Sequence, residues 1–288
     1  MVRFKISAFS DEYSAVLDEQ IKGLCANKVR MTELRGVDGT NVSSLTLEAA
    51  KETHKKLEAA GISVSAIGSP IGKIQITDSF EEHLDLLKHT CEIAKIMQTP
   101  RIRIFSFYIP DGKHDEYKFE VFKRMEKMLD VADEYEVKLC HENEKGIYGE
   151  SPEKCLELME EFDGRMGCVF DPANYVLCGY ESFEYGFNLL KKYITYMHIK
   201  DATASNAIVP AGAGIGGIPE ILAVINNSFK GDVILTIEPH LRVFDGLAAL
   251  EGTNRRSAVT NEYSTAAEAF EAAVTALRSC LPRTCEQY

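Results

Sequence analysis

The sequence predicts a closed parallel barrel of the (β/α)8 class, and three observations carry that expectation. Eight short apolar runs recur along the 288 residues, each followed by a stretch with helical spacing, which is how parallel strands joined by crossover helices read. No linker rich in Pro, Gly and Ser divides the chain, so residues 1–288 read as one domain, near the roughly 250 residues such a barrel needs. The last four runs end in charged or histidine side chains, as functional residues do at the C-terminal mouth of a barrel.

In chain order the strands are expected at 3–9, 29–34, 62–67, 101–108, 137–141, 167–171, 194–199 and 232–238. The helices are expected near 14–26, 44–60, 80–97, 116–135, 151–162, 182–192, 217–228 and 264–279. Ala60-Gly61-Ile62 marks the passage from the second helix to the third strand, because glycine readily ends a helix. Asp78, followed three residues later by Glu81, resembles a capping box before Leu84, Leu87, Cys91 and Ala94, whose spacing makes an apolar stripe. The fourth strand alternates through Arg101-Ile102-Arg103-Ile104 and then turns aromatic through Phe105, Phe107 and Tyr108. Such an end can line a pocket or simply pack half-buried. Ser151-Pro152 opens the fifth helix with a capping residue and a first-turn proline. Two long loops, 201–216 and 239–263, follow strands at the expected catalytic face, where insertions can cover a substrate.

Bulk properties narrow the function. A formal net charge of -12 argues against a long nucleic-acid surface, since a polyanion would approach against repulsion. Eight cysteines without close CxxC pairs, and an N-terminus without signal-peptide character, read as reduced thiols in a cytoplasmic protein. No apolar stretch approaches membrane-spanning length. The exterior helices of a barrel can also support homo-oligomers, with no interface marked in the sequence.

Four segments carry the chemistry: Cys140-His141-Glu142-Asn143, Phe170-Asp171-Pro172-Ala173-Asn174, Met197-His198-Ile199-Lys200-Asp201 and Thr236-Ile237-Glu238-Pro239-His240. On successive strands their ends share one rim. Glu142, Asp171, His198 and Glu238 then make an oxygen-rich set with one nitrogen, suited to a single divalent cation. Mn2+ is the first expectation, with Zn2+, Co2+ and Fe2+ as alternatives. An acid buried after an apolar strand is costly unless it is paired, and coordination removes that cost. Each acid alone would more simply be solvated or salt-bridged, and His198 alone a core or surface histidine; it is their joint placement that favours a metal.

Glu142 and Glu238 come from non-neighbouring strands, so they can address opposite sides of a substrate and act as acid and base as well as ligands. Asn174 offers a donor and an acceptor for a substrate hydroxyl. Glu33 and Arg35 share strand parity and are expected to face the mouth and bind a polyol, with Lys200 and His240 as further substrate contacts. Asp201 is expected beside His198, orienting it. His141 points away from its neighbour Glu142 and is not expected to bind metal. Cys140 has no base to make it a nucleophile. Gly212 to Gly217 reads first as turn or lid glycines, and second as backbone N–H groups open to a phosphate.

The chain resembles the xylose-isomerase-like TIM-barrel superfamily, most strongly at His141-Glu142-Asn143, Phe170-Asp171, His198-Ile199-Lys200-Asp201 and Ile237-Glu238-Pro239. The resemblance implies a single divalent ion on Glu142, Asp171, His198 and Glu238. In the epimerase branch it also implies proton exchange by the two glutamates. That branch carries a substrate histidine where Asn174 stands, and an arginine within the stretch occupied here by Ala202-Thr203-Ala204-Ser205. The expected activity is therefore isomerisation or epimerisation of a small sugar, sugar phosphate or related polyol through an enediolate. An inosose-dehydratase-like lyase and a non-catalytic, metal-containing sugar-binding barrel are the alternatives.

Overall fold

The computed structural model describes residues 2–243 and 262–282. Eight strands form the barrel: β1 (Val2–Ala8), β2 (Met31–Leu34), β3 (Ser63–Gly68), β4 (Arg101–Ile104), β5 (Lys138–Glu142), β6 (Gly167–Phe170), β7 (Ile194–Ile199) and β8 (Gly231–Ile237). Each runs parallel to its sequence neighbours, and β8 closes the barrel against β1 over the whole length from Val2↔Gly231 to Ala8↔Ile237. The connecting helices are α1 (Leu17–Ala26), α2 (Leu47–Ala59), α3 (Glu81–Ile96), α4 (His114–Glu134), α5 (Pro152–Glu161), α6 (Pro172–Leu177), α7 (Ile218–Ser228) and α8 (Ala266–Cys280). The expected (β/α)8 TIM barrel is thus the fold. No helix among the described residues is long and apolar enough to cross a membrane.

Strands covered on both faces need apolar side chains on both, and the two faces do different work. Outward-facing Phe4, Ile102, Leu139, Met197 and Leu235 belong to one large apolar cluster with Leu87, Met125, Leu158, Ile221 and Phe270 of the helices. Inward-facing Ala66, Cys140, Val169, Tyr196 and Ile234 form a separate, smaller cluster inside the barrel. Side chains alternate along a strand, so the residue two positions on points inward again. Two beyond Cys140, Val169 and Tyr196 stand Glu142, Asp171 and His198, and four beyond Ile234 stands Glu238. The inner apolar layer is the floor on which these four polar residues rest.

Several boundaries differ from the sequence expectation. β4 stops at Ile104 instead of reaching residue 108, because the chain beyond it bonds to the loop after β3. The N–H groups of Phe105, Phe107 and Tyr108 donate to the carbonyls of Ile71, Gly72 and Ile74 at 2.8, 2.9 and 2.9 Å. Asp78 does not cap α3. Its Oδ2 accepts the Gln75 N–H at 2.9 Å within a preceding turn, and Phe80 takes the N-cap position without a side-chain bond. The helix expected at 182–192 is a π-helical turn at Ser182–Phe187 running into Asn188–Leu190. The separate helix α6 before it was not expected. Ser151 does cap α5, accepting the Lys154 N–H, with Pro152 in the first turn. Most of the expected 239–263 loop lies outside the described residues.

Candidate metal centre and its cavity

Glu142, Asp171, His198 and Glu238 are all buried, and each offers one ligand atom within 4.8 Å of the others. The local chain explains how each is aimed. Asp171 is the N-cap of α6: its Oδ1 accepts the Asn174 N–H at 2.9 Å, a capping bond helices commonly require. Asn143 fixes the Asp171 backbone on both sides, donating to its carbonyl and accepting from its N–H, each at 2.9 Å. The second carboxylate oxygen, Oδ2, is buried without a hydrogen-bond partner, although Lys200 Nζ stands 3.1 Å away at an angle that makes only an ion pair.

His198 is held between two carboxylates. Its Nε2 lies 3.1 Å from Glu33 Oε2, and its Nδ1 lies 2.9 Å from Glu142 Oε1 and 3.7 Å from Glu238 Oε2. With Nε2 bonded to Glu33, the Nδ1 proton that meets Glu142 is the one a cation would displace, and a carboxylate behind the ring is the arrangement of a metal-binding histidine. Tyr196 OH donates to the other oxygen of Glu33 at 3.0 Å and keeps that carboxylate in place.

Burial and neighbouring charges pull the members of the cluster in different directions. Burial pushes the Asp171 carboxyl up to about 7; Lys200 pulls against that, while Glu238 and Glu142 add to it. Burial disfavours a charge on His198, yet Glu142 and Glu33 outweigh it and hold the imidazole charged well above its usual range. Glu238 is also opposed by burial, but Lys200, His240, His198 and Arg35 keep it ionised well below the usual carboxylate range. Three crowded acids, one orphaned carboxylate oxygen and an imidazole nitrogen turned toward them fit a divalent cation by charge and by donor type. The residues present therefore make a divalent-metal-binding cluster.

A small cavity, open to solvent on one side, lies over this cluster. Glu142, Glu238, Asn174, Lys200, His240 and Arg35 line it, together with Lys73, Arg103 and Glu144, which the sequence reasoning had not singled out as site residues. Asn174 Nδ2 reaches Asn143 O at 2.9 Å and Glu142 Oε1 at 3.4 Å. Lys200 Nζ donates to Glu238 Oε2 at 2.9 Å. Arg35 donates from Nη1 to Glu238 at 3.0 Å, from Nη2 to Glu12 and Asp11 at 3.1 Å, and from Nε to Asp11 at 2.8 Å. Glu33 differs from its expected place at the mouth: it is fully buried behind His198. His240 returns to the cavity through a left-handed backbone turn at φ 44°, its N–H donating to Glu12 Oε2 at 2.7 Å. Glu12, Glu238 and His240 form a second group of ligand type, but the Arg35 guanidinium already bonds both of its acids.

Asp201 does not orient His198. Its carboxylate turns the other way, accepting the backbone N–H groups of Ala202, Gly212, Gly214 and Gly216 at 2.9, 2.9, 3.1 and 2.9 Å. The glycine loop is thus an anion nest whose anion belongs to the chain itself. A side chain at Gly214 would place Cβ 2.3 Å from Asp201 Oδ1, so the glycine is required by that close approach. Asp201→Ala is expected to cost about 1–3 kcal/mol, the penalty for buried donors left unpaired, and to speed amide exchange at Gly212, Gly214 and Gly216. Unchanged exchange at those three amides would show that the carboxylate does not hold the loop.

Sequence and structure comparisons agree with this architecture. A family model described as a xylose isomerase-like TIM barrel matches residues 29–279. No curated protein matches by sequence. Among solved structures, the chain is similar to the IOLI protein with a bound zinc atom, at 15% identity and TM-score 0.71, covering 96% of this chain and 98% of that one. It is similar to the probable 3-DHS dehydratase AsbF of Bacillus anthracis, at 16% identity and TM-score 0.70, covering 96% and 98%. It is also similar to a D-psicose 3-epimerase of Clostridium cellulolyticum solved with D-tagatose, at 13% identity and TM-score 0.69, covering 96% and 99%. At these identities the likeness is one of fold.

Proposed function

The chain belongs to the xylose isomerase-like TIM-barrel family, and from that premise we propose that it is a metal-dependent isomerase or epimerase of a small sugar, sugar phosphate or related polyol. The observation that carries the reading is the pair Glu142 and Glu238, which both line the cavity and both reach the same ligand cluster from strands separated by two others. A divalent cation held by Glu142, Asp171, His198 and Glu238, with Mn2+ first and Zn2+, Co2+ or Fe2+ as alternatives, would polarise a substrate carbonyl and steady negative charge on its oxygen.

The chain's own residues do the rest. One glutamate takes the proton from the carbon beside the carbonyl, and the other returns a proton to its neighbour or to the opposite face. Lys200 and Arg35 hold Glu238 in place and ionised, with its proton-accepting strength depending on how substrate and cation redistribute those contacts. Asn174, beside Glu142, offers its amide to a substrate hydroxyl, and His240 stands across the cavity near Glu238. Glu33 and Tyr196 fix the ring of His198, so that the cluster needs little rearrangement.

A lyase is the second reading, favoured by the Lys200 ammonium 2.9 Å from Glu238, a proton source for a departing β-hydroxyl, and by the fold likeness to the dehydratase. Incubating Mn2+-loaded protein with ketoses, their phosphates and inososes in deuterium oxide separates the cases. The proposal expects isomers bearing solvent deuterium at the exchanged carbon. Products that have lost water, without isomers, would establish the lyase; tight binding without turnover would leave a sugar-binding barrel.

A further inference from the structure

One wall of the cavity is built as an alternation of cations and rings. The Arg35 guanidinium carbon lies 4.3 Å from the Phe9 centroid, and that of Arg103 lies 5.8 Å from the same ring. Arg103 also lies 4.5 Å from the Phe105 centroid, and Lys73 Nζ lies 4.3 Å from it. Two aromatic rings thus separate and support three cations, each contact being of the favourable cation–π kind. Gly68 on β3 makes the room: a Cβ there would meet Phe9 Cε1 at 2.7 Å, Arg35 Cβ at 3.2 Å and Arg103 Nη2 at 3.3 Å.

The cations differ in what they already hold. Arg35 is bonded to Asp11, Glu12 and Glu238, and Lys73 pairs with Glu144 at 3.2 Å. Arg103 is 3% exposed and its Nε has no hydrogen-bond partner among the described residues. The acids nearest that Nε are Glu142 at 3.4 Å and Glu33 at 3.9 Å. Both balance its charge without accepting a hydrogen bond from it: Glu142 gives Oε1 to His198 Nδ1 and leaves Oε2 nearest Arg103, while Glu33 is bonded to His198 Nε2 and Tyr196. A buried donor without a hydrogen bond is costly even where its charge is balanced, and the Arg103 side chain lines the cavity.

We propose that Arg103 is the anchor for a carboxylate of the substrate, with Lys73 assisting across Phe105, so that the substrate is a sugar acid or related hydroxy acid and not a neutral polyol. The inference rests on the reading that substrate enters this cavity over the ligand cluster. A guanidinium fork matches a planar carboxylate in shape and charge. Arg103 stands beside Glu142, so the acid group sits a few atoms from the carbon that exchanges its proton. A cation held by Glu142 would take up part of that carboxylate's charge and so leave the Arg103 donor to an incoming anion.

The test uses Zn2+-loaded full-length protein, its metal content measured first, and calorimetric titration with D-glycerate, glycerol 3-phosphate and glycerol. D-Glycerate is expected to bind at least about tenfold tighter than either of the others, as a hydrogen-bonded ionic contact allows. Arg103→Gln is expected to erase that preference, and Arg103→Lys to restore part of it, with metal content unchanged in both. A preference that survives in Arg103→Gln is chelation by the metal alone and overturns the proposal, as does equal binding of glycerol or tighter binding of the phosphate. Failure of the wild-type protein to take up metal would instead overturn the underlying metal-site reading.

Discussion

Glu142→Gln and Glu238→Gln are each expected to lower kcat by about a hundred- to ten-thousandfold, the range general acid–base groups contribute, when compared at equal metal occupancy. Glutamine keeps the volume and the coordinating oxygen but cannot accept or deliver a carboxyl proton. The two substitutions leave different neighbours behind. At Glu142 the amide still meets His198 Nδ1 and Asn174, which stand 2.9 and 3.4 Å from Oε1. At Glu238 it faces Lys200 and Arg35, at 2.9 and 3.0 Å, so two buried cations lose a counter-charge and metal content and melting temperature must be measured alongside the rate. Asn174→Ala is expected to cost far less in kcat and more in KM, because a hydroxyl contact binds substrate without moving its proton. Full activity in a metal-loaded double glutamine variant would remove both residues from proton transfer. Glu33 belongs to neither group: its substitution is expected to weaken metal binding by about ten- to a hundredfold, since it acts through His198.

The largest expected effect on stability lies outside the ligand set, at Gly72. A Cβ there would stand 2.0 Å from Phe105 O and 2.4 Å from Phe105 C, both backbone atoms that cannot swing aside, and the residue has φ +89°. Its N–H donates to His83 Nε2 at 2.7 Å and its carbonyl accepts from the Phe107 N–H at 2.9 Å. The first bond requires a neutral imidazole, and burial, with Arg124 nearby, keeps the His83 pKa down to about 4. Gly72→Ala is therefore expected to destabilise by about 3–5 kcal/mol, combining overpacking with an unfavourable backbone conformation. Gly61→Ala is the control: φ is +67° but nothing lies within 4 Å, so about 1 kcal/mol is expected. Urea denaturation of the two variants checks the comparison, and equal losses would show that the contact with Phe105 is not tight.

The barrel was legible because each strand is covered twice and so reads as a plain apolar run, from Phe4 through Leu235. The ligand residues were legible for a related reason: Glu142, Asp171, His198 and Glu238 interrupt such runs at the same end. What lay across the barrel was not legible. Glu33 and Arg35 share strand parity, but parity cannot say that Glu33 meets His198 from five strands away in sequence while Arg35 meets Asp11 and Glu12. Arg103 hid in an alternating Arg-Ile-Arg-Ile run that suits a half-buried strand as well as a pocket. Two local signals were present and read otherwise. Asp171 before Pro172 has the form of a helix start, and Asp201 ahead of several closely spaced glycines supplies an acceptor for their amides. Asp78 shows the converse, since a capping pattern can serve a turn instead of the helix behind it.

Asp171 divides its two oxygens between different tasks, Oδ1 on the first turn of α6 and Oδ2 toward the cluster. The rotation of the carboxylate is therefore tied to the first turn of α6 at one oxygen and to Lys200 at the other. Unwinding of residues 172–174 would release one of those two ties, so the winding of a six-residue helix and the aim of a ligand oxygen are one and the same local event.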